Sequence, residues 1–90
     1  MHNINPAQLV STYDGLHDVV SQLSQHPTIA VDTESNSLHA YKERICLIQF
    51  STREEDFIVD PIAIGNLAIL QPVFANKRIE KVFHAAEYDL

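Results

Sequence analysis

The chain has 90 residues, 46% apolar and 20% charged, with a formal net charge of -6, the composition of an ordinary globular domain or of part of a larger one. So acidic a balance argues against a broad basic face that grips nucleic acid, but it leaves room for an enzyme that meets phosphate through bound divalent cations, which invert the local charge. No run approaches the roughly 18 apolar residues of a membrane helix, the opening MHNINPAQ lacks the regions of a secretory signal, and the lone Cys46 cannot form an internal disulfide, so the expectation is a cytoplasmic protein with no membrane partner and no redox chemistry.

Residues Met1 to Val10 carry little pattern beyond a short edge strand over Gln8 to Ser11. From Ser11 the apolar positions Leu16, Val19, Val20 and Leu23 follow the i, i+3, i+4, i+7 spacing of an amphipathic helix, with Ser11 or Thr12 as its cap and Asp14 in the first turn. The helix should run for about four turns, pack one face on a sheet and stop at His26-Pro27, because the residue before a proline is pushed out of helical conformation. His17 and His26 fall on or near its polar side and read as solvated.

Thr28 to Glu34, TIAVDTE, then carries an apolar strand signal into two carboxylates at alternate positions. Residues i and i+2 of a strand project to one face, so Asp32 and Glu34 point the same way, with the small Ala30 beside them. Two like charges so placed repel unless water, a proton or a cation relieves them. Taken alone, the pair fits either a cation-binding strand or the solvated exit of an ordinary one.

A polar loop follows, Ser35 to Glu43, with Asn36, Leu38, His39 and Tyr41. Arg44 to Ser51, RICLIQFS, is rich in strand formers and reads as a central strand buried on both faces, where Gln49 is the one polar intruder and would satisfy backbone groups within the sheet. A charged turn at Thr52 to Asp56 leads into a third strand, Phe57 to Asp60, which forms a hairpin with the second and is ended by Pro61.

Gly65 and Asn66 should open a second helix with Leu67, Leu70, Val73 and Phe74 on one side. Pro72 removes a backbone donor and crowds the preceding turn, so this helix is either kinked there or begins later. Asn76-Lys77 closes it. Ile79 to Phe83, IEKVF, is a fourth strand, reached by a crossover long enough to make it parallel to an earlier one, and it ends at His84. Glu87 to Leu90 looks like the first turn of a further helix.

This order of elements predicts an α/β fold with a mixed sheet. If the fourth strand lies parallel beside TIAVDTE, its carboxyl end brings the stretch from His84 to Asp89 next to Asp32 and Glu34, and ligand sites in such sheets collect at carboxyl ends. Three carboxylates with no obvious basic neighbour make a hard-cation site suited to Mg²⁺ or Mn²⁺.

The motifs DTE at 32–34, RICLIQF at 44–50, VDP at 59–61 and VFHAAEYDL at 82–90 together resemble the N-terminal part of a ribonuclease D-type 3′-5′ exonuclease, of the DEDD superfamily with a ribonuclease H-like fold. The likeness runs from about the first helix to the last residue, and H-A-A-x-x-D-L is its most specific piece. It implies that residues 1–90 are the N-terminal portion of one exonuclease domain: a ribonuclease H-like mixed sheet with flanking helices, incomplete, whose final strand and C-terminal helices are not contained in it. It implies hydrolysis of phosphodiester bonds from a single-stranded 3′ end, with RNA expected ahead of DNA, by a two-metal mechanism in which cations about 3.5–4 Å apart share a bridging carboxylate.

By this resemblance Asp32 is the bridge, Glu34 holds the first metal and orients water, and Asp89 holds the second. Thr33, Leu38 and His84 match substrate-side positions: a backbone or hydroxyl contact to the terminal nucleotide, an apolar wedge against its base, and a polar contact near the scissile phosphate. Leu38 reads equally as a loop residue folded onto the core, and His84 as a structural hydrogen-bonding group. Tyr88 reads as a packing residue.

The family's third motif, Tyr-x-x-x-Asp or His-x-x-x-Asp on a later helix, is not among these residues. The 90-residue piece alone is therefore expected to be inactive and, with an exposed apolar face and strand edge, to self-associate. Two other readings stay open: a noncatalytic exonuclease-like scaffold that binds nucleic acid or protein, and a DNA-directed proofreading-type exonuclease, since sugar discrimination lies in 2′-OH contacts that these residues do not reveal. A small-molecule transferase is disfavoured, because the chain has two glycines and no glycine-rich phosphate loop.

Overall fold

The computed structural model describes residues 5–35 and 45–84. In chain order the elements are β1 (Gln8–Val10), α1 (Tyr13–Leu23), β2 (Thr28–Ser35), β3 (Ile45–Ser51), β4 (Asp56–Val59), α2 (Pro61–Ile64), a 3-10 turn (Ala68–Leu70), α3 (Gln71–Ala75) and β5 (Glu80–His84). The strands make one mixed sheet in the order β1-β4-β3-β2-β5, with β3 antiparallel to both its neighbours. β1 pairs parallel with β4, and β5 pairs parallel with β2. The α/β expectation is met, including the fourth strand's place beside TIAVDTE.

Helix α1 starts where a hydroxyl is available. The Gly15 N–H donates to Thr12 Oγ1 at 3.0 Å, which satisfies one of the donors that a helix start leaves without an internal partner. Leu16, Val19 and Leu23 are buried, as the periodicity requires. The helix has 11 residues and ends at Leu23, earlier than the proline alone demands. There the Ser24 hydroxyl donates to the Val20 carbonyl at 2.8 Å, and Gln25 and His26 close tighter i to i−3 turns onto Gln22 and Leu23.

The segment from Asp60 to Ala75 departs from the single helix expected there. Asp60 does not simply end a strand: its Oδ1 accepts from Ile62 N at 3.1 Å and Ala63 N at 3.0 Å, capping α2. Pro61 occupies the first turn, where a missing N–H costs nothing. Gly65, with φ of 84°, terminates α2 instead of opening a helix. Asn66 Oδ1 accepts from Ala68 N at 2.9 Å in a new turn, and Pro72 sits in the first turn of α3, so the helix begins later and the proline breaks no ladder.

One face of the sheet carries the core. Register aligns Val31 with Phe50 and Phe57, and Thr33 with Ile48, Val59 and Val10. All of these except the half-buried Thr33 are buried, together with Leu16, Val19 and Leu23 of α1 and with Leu70, Val73 and Ile79. Phe50 extends the cluster through Phe74, whose ring stacks on Phe83 at a centroid distance of 6.2 Å. β3 is central, but among the described residues it is not buried on both faces: Ile48 and Phe50 are buried, Leu47 is half-buried and Gln49 is exposed. The loop that holds Leu38 lies outside the described residues. So do Asp89, Tyr88 and the helix start expected at Glu87.

Candidate active site

Alternation along β2 separates core from chemistry. Ile29 and Val31 are buried on one face, and Ala30, Asp32 and Glu34 take the other, both carboxylates exposed. Register then builds a row across the sheet. Asp32 stands opposite Gln49 of β3 on one side and His84 of β5 on the other. Gln49 is opposite Ile58 of β4, and Ile58 opposite Leu9 of β1. Glu34 lies one step along, opposite Leu47. No lysine or arginine occupies any of these positions, so among the described residues no basic side chain of this row neutralises the pair.

Asp32, Thr33, Glu34, Leu47, Gln49 and Ile58 line an open cleft of about 120 Å³. That is ample room for a cation with water, since about 10–15 Å³ of such space already holds one water. Two exposed carboxylates on one face, with a carboxamide beside them, form an oxygen-rich donor set matched to a hard divalent cation. The residues therefore fit the expected metal as far as they go: among the described residues no third acid, histidine or cysteine completes a three-ligand group.

Sequence-predicted site residues are thus partly brought together. Asp32, Glu34 and His84 share the carboxyl ends of two parallel strands, the location at which ligands collect in such sheets. Alternation turns the Thr33 side chain toward the opposite face, which leaves its backbone to line the cleft. His84 is exposed rather than engaged inside the sheet. Leu38 and Asp89 lie outside the described residues.

Gln49, Leu47 and Ile58 are cleft residues that sequence reasoning did not assign. Gln49 does not serve the backbone of the sheet: it is exposed and faces the cleft. The signal that could have found it is alternation within RICLIQFS, which separates Leu47 and Gln49 from Ile48 and Phe50.

Comparison with known proteins supplies the family. The chain is 44% identical over 82 residues to Protein RRP6-like 3 of Arabidopsis thaliana, an alignment that spans 90% of this chain and 9% of that protein. The catalytic core of RRP6 from Trypanosoma brucei superposes with a TM-score of 0.85 at 39% identity, over 92% of this chain and 23% of that one. RNase D of Escherichia coli, an exoribonuclease involved in structured RNA processing, superposes with a TM-score of 0.81 at 28% identity, over 90% of this chain and 22% of that one. The chain therefore spans about a tenth of the RRP6-like relative and under a quarter of the two solved structures. The family model described as 3′-5′ exonuclease matches residues 7–90, and the chain belongs to that family.

Proposed function

We propose that these residues are the N-terminal portion of a metal-dependent 3′-5′ exonuclease domain that shortens single-stranded RNA from its 3′ end. What carries this proposal is the placement of Asp32 and Glu34 on one exposed face of β2, directly beside parallel β5, in a chain of the 3′-5′ exonuclease family. RNA is preferred to DNA as substrate because a similar solved protein is an exoribonuclease.

In this proposal Asp32 and Glu34 hold divalent cations, Mg²⁺ or Mn²⁺, with Asp89 as a further carboxylate by family resemblance. The cations, when bound, supply charge neutralisation at the phosphate and activation of the attacking water. The chain's own residues do the positioning. Asp32 presents its carboxylate between the two strands, and Glu34 orients the water from the same face. The Thr33 backbone meets the terminal nucleotide, His84 donates toward the scissile phosphate, and Leu38 wedges against the terminal base.

The 90 residues expressed alone are expected not to trim RNA, having two carboxylates among the described residues where the complete mechanism needs more. They are also expected to self-associate through the outer edges of β1 and β5. No helix of the described residues is long and apolar enough to cross a membrane, and a cytoplasmic setting is the accompanying proposal.

The test is trimming of 3′-labelled single-stranded RNA and DNA of one sequence by the full-length protein and its Asp32→Asn and Glu34→Gln variants, with Mn²⁺ or with chelator. Metal-dependent loss of the 3′ label that both variants suppress supports the proposal. Equal rates in wild type and variants would sink it, and faster trimming of DNA would replace RNA as the substrate.

A further inference from the structure

The face that carries Asp32 mixes polar positions, among them Ser51, Asp56 and Glu80, with apolar ones. Ala30, Leu47, Ile58 and Val82 share it with Leu9, which is 70% exposed. Within that surround, the two positions flanking Asp32 in register are both nitrogen-bearing, Gln49 on β3 and His84 on β5. Side chains directly opposite on antiparallel strands have Cβ atoms about 4.5–5.5 Å apart, close enough for a carboxamide to reach a neighbouring carboxylate. Gln49 and Asp32 line the same cleft.

Burial does not explain this glutamine. Gln49 is exposed, so no buried backbone group holds it, and an apolar residue would match its neighbours Leu47 and Ile58 on the same cleft wall. Its chemistry suits a particular task. A carboxamide donates an N–H without bringing charge: it can fix one oxygen of a carboxylate while leaving the full negative charge available to a cation. A lysine or arginine there would neutralise Asp32, and an acid would repel it.

We infer that Gln49 is a positioning residue for the metal site: its amide Nε2 would donate to the Asp32 carboxylate and hold that side chain in place for a cation. In the structure both side chains are exposed to water and are not bonded to each other. The amide would come into use once Asp32 serves as a ligand, when a fixed carboxylate orientation matters. Outer partners of this kind typically change metal affinity or activity by 10- to 100-fold when removed, a range of roughly one to two decades. This inference rests on the proposed metal-dependent function.

The test uses the full-length protein without RNA. Mn²⁺ is titrated calorimetrically into wild type, Gln49→Met, Gln49→Leu and Asp32→Asn, and kcat and KM for 3′-labelled RNA are then measured at several Mn²⁺ concentrations. Both Gln49 variants are expected to bind Mn²⁺ about tenfold more weakly, and their kcat should fall at low Mn²⁺ and recover at high Mn²⁺ with KM for RNA unchanged. Using two variants of different shape keeps the result independent of one variant's folding. Mn²⁺ affinity within twofold of wild type in both overturns the inference, as does a raised KM for RNA with Mn²⁺ affinity intact, which would make Gln49 a substrate contact. If Asp32→Asn itself binds Mn²⁺ like wild type, the functional proposal fails and Gln49's role fails with it. If only the Gln49 variants are unaffected, the function stands and this inference alone is lost.

Discussion

Asp32→Asn separates a functional carboxylate from a structural one, and the expected size follows from its geometry. Asp32 and Glu34 are two residues apart on one strand, about 6.6 Å along the backbone at 3.3 Å per residue. Both are exposed, so a water-like dielectric applies. Two unit charges about 7 Å apart then repel by about 0.6 kcal/mol, and a Debye length of about 8 Å at physiological salt reduces that to roughly 0.3 kcal/mol. Removing one charge should therefore shift the melting temperature of the metal-free protein by only about 1 °C, at 2–4 °C per kcal/mol for a domain of roughly 150–250 residues. Adding Mn²⁺ at about 100 times its dissociation constant should stabilise wild type by about 2.7 kcal/mol, which is about 5–10 °C on the same scale. Asp32→Asn should show almost none of that gain. Thermal unfolding of the full-length protein and variant, with chelator and with Mn²⁺, reads all four values. A metal-free variant melting far below wild type would mark Asp32 as a structural residue, and an undiminished Mn²⁺ shift would remove it from the metal site.

Three further outcomes test the scaffold. Gly65→Ala has open space around the added methyl but must hold φ at 84° with ψ at −63°, so it should cost about 1–3 kcal/mol from backbone strain alone, measured by urea unfolding. Phe50→Ala empties a fully buried position and should cost about 3–5 kcal/mol, whereas Phe83→Ala, on the same face at the edge strand but 61% exposed, should cost under about 1 kcal/mol; comparable losses at the two sites would contradict the difference in burial between the sheet's centre and its edge. The 90-residue chain expressed by itself should elute in light-scattering chromatography above its 10.2 kDa monomer mass, because neither β1 nor β5 has a partner on its outer edge among the described residues. A stable monomer at tens of micromolar would refute that expectation.

The parts of the fold that could be read in the sequence are those where a period and a local chemical signal agree. The spacing of Leu16, Val19 and Leu23 fixes the buried side of α1, and Thr12 supplies the cap. TIAVDTE announces both its strand and the shared face of its two acids. The stretch from Asp60 to Ala75 misleads because its signals conflict. Leu67, Leu70, Val73 and Phe74 keep a helical spacing across a glycine with positive φ and a proline, and backbone geometry overrides the side-chain period there. For Gln49 only half of the answer is local. Alternation in RICLIQFS separates Leu47 and Gln49 from Ile48 and Phe50, but which residue stands opposite Asp32 depends on strand register, and register follows the packing of Val31, Phe50 and Phe57 on the far face.

The same register makes the two acids unequal, and that asymmetry can be measured. Asp32 lies between potential donors on both sides, Gln49 and His84, whereas Glu34 has the apolar Leu47 opposite it on β3. A carboxylate with donors on two sides can carry a cation and still be held in place; one opposite a leucine gains no such donor from that strand. Glu34→Gln should therefore weaken Mn²⁺ binding while leaving a measurable site, and Asp32→Asn should abolish it. Calorimetric titration of the two variants of the full-length protein decides the matter. If Glu34→Gln loses as much Mn²⁺ affinity as Asp32→Asn, the flanking donors do not distinguish the acids, and the row across the sheet has no part in how the cations are held.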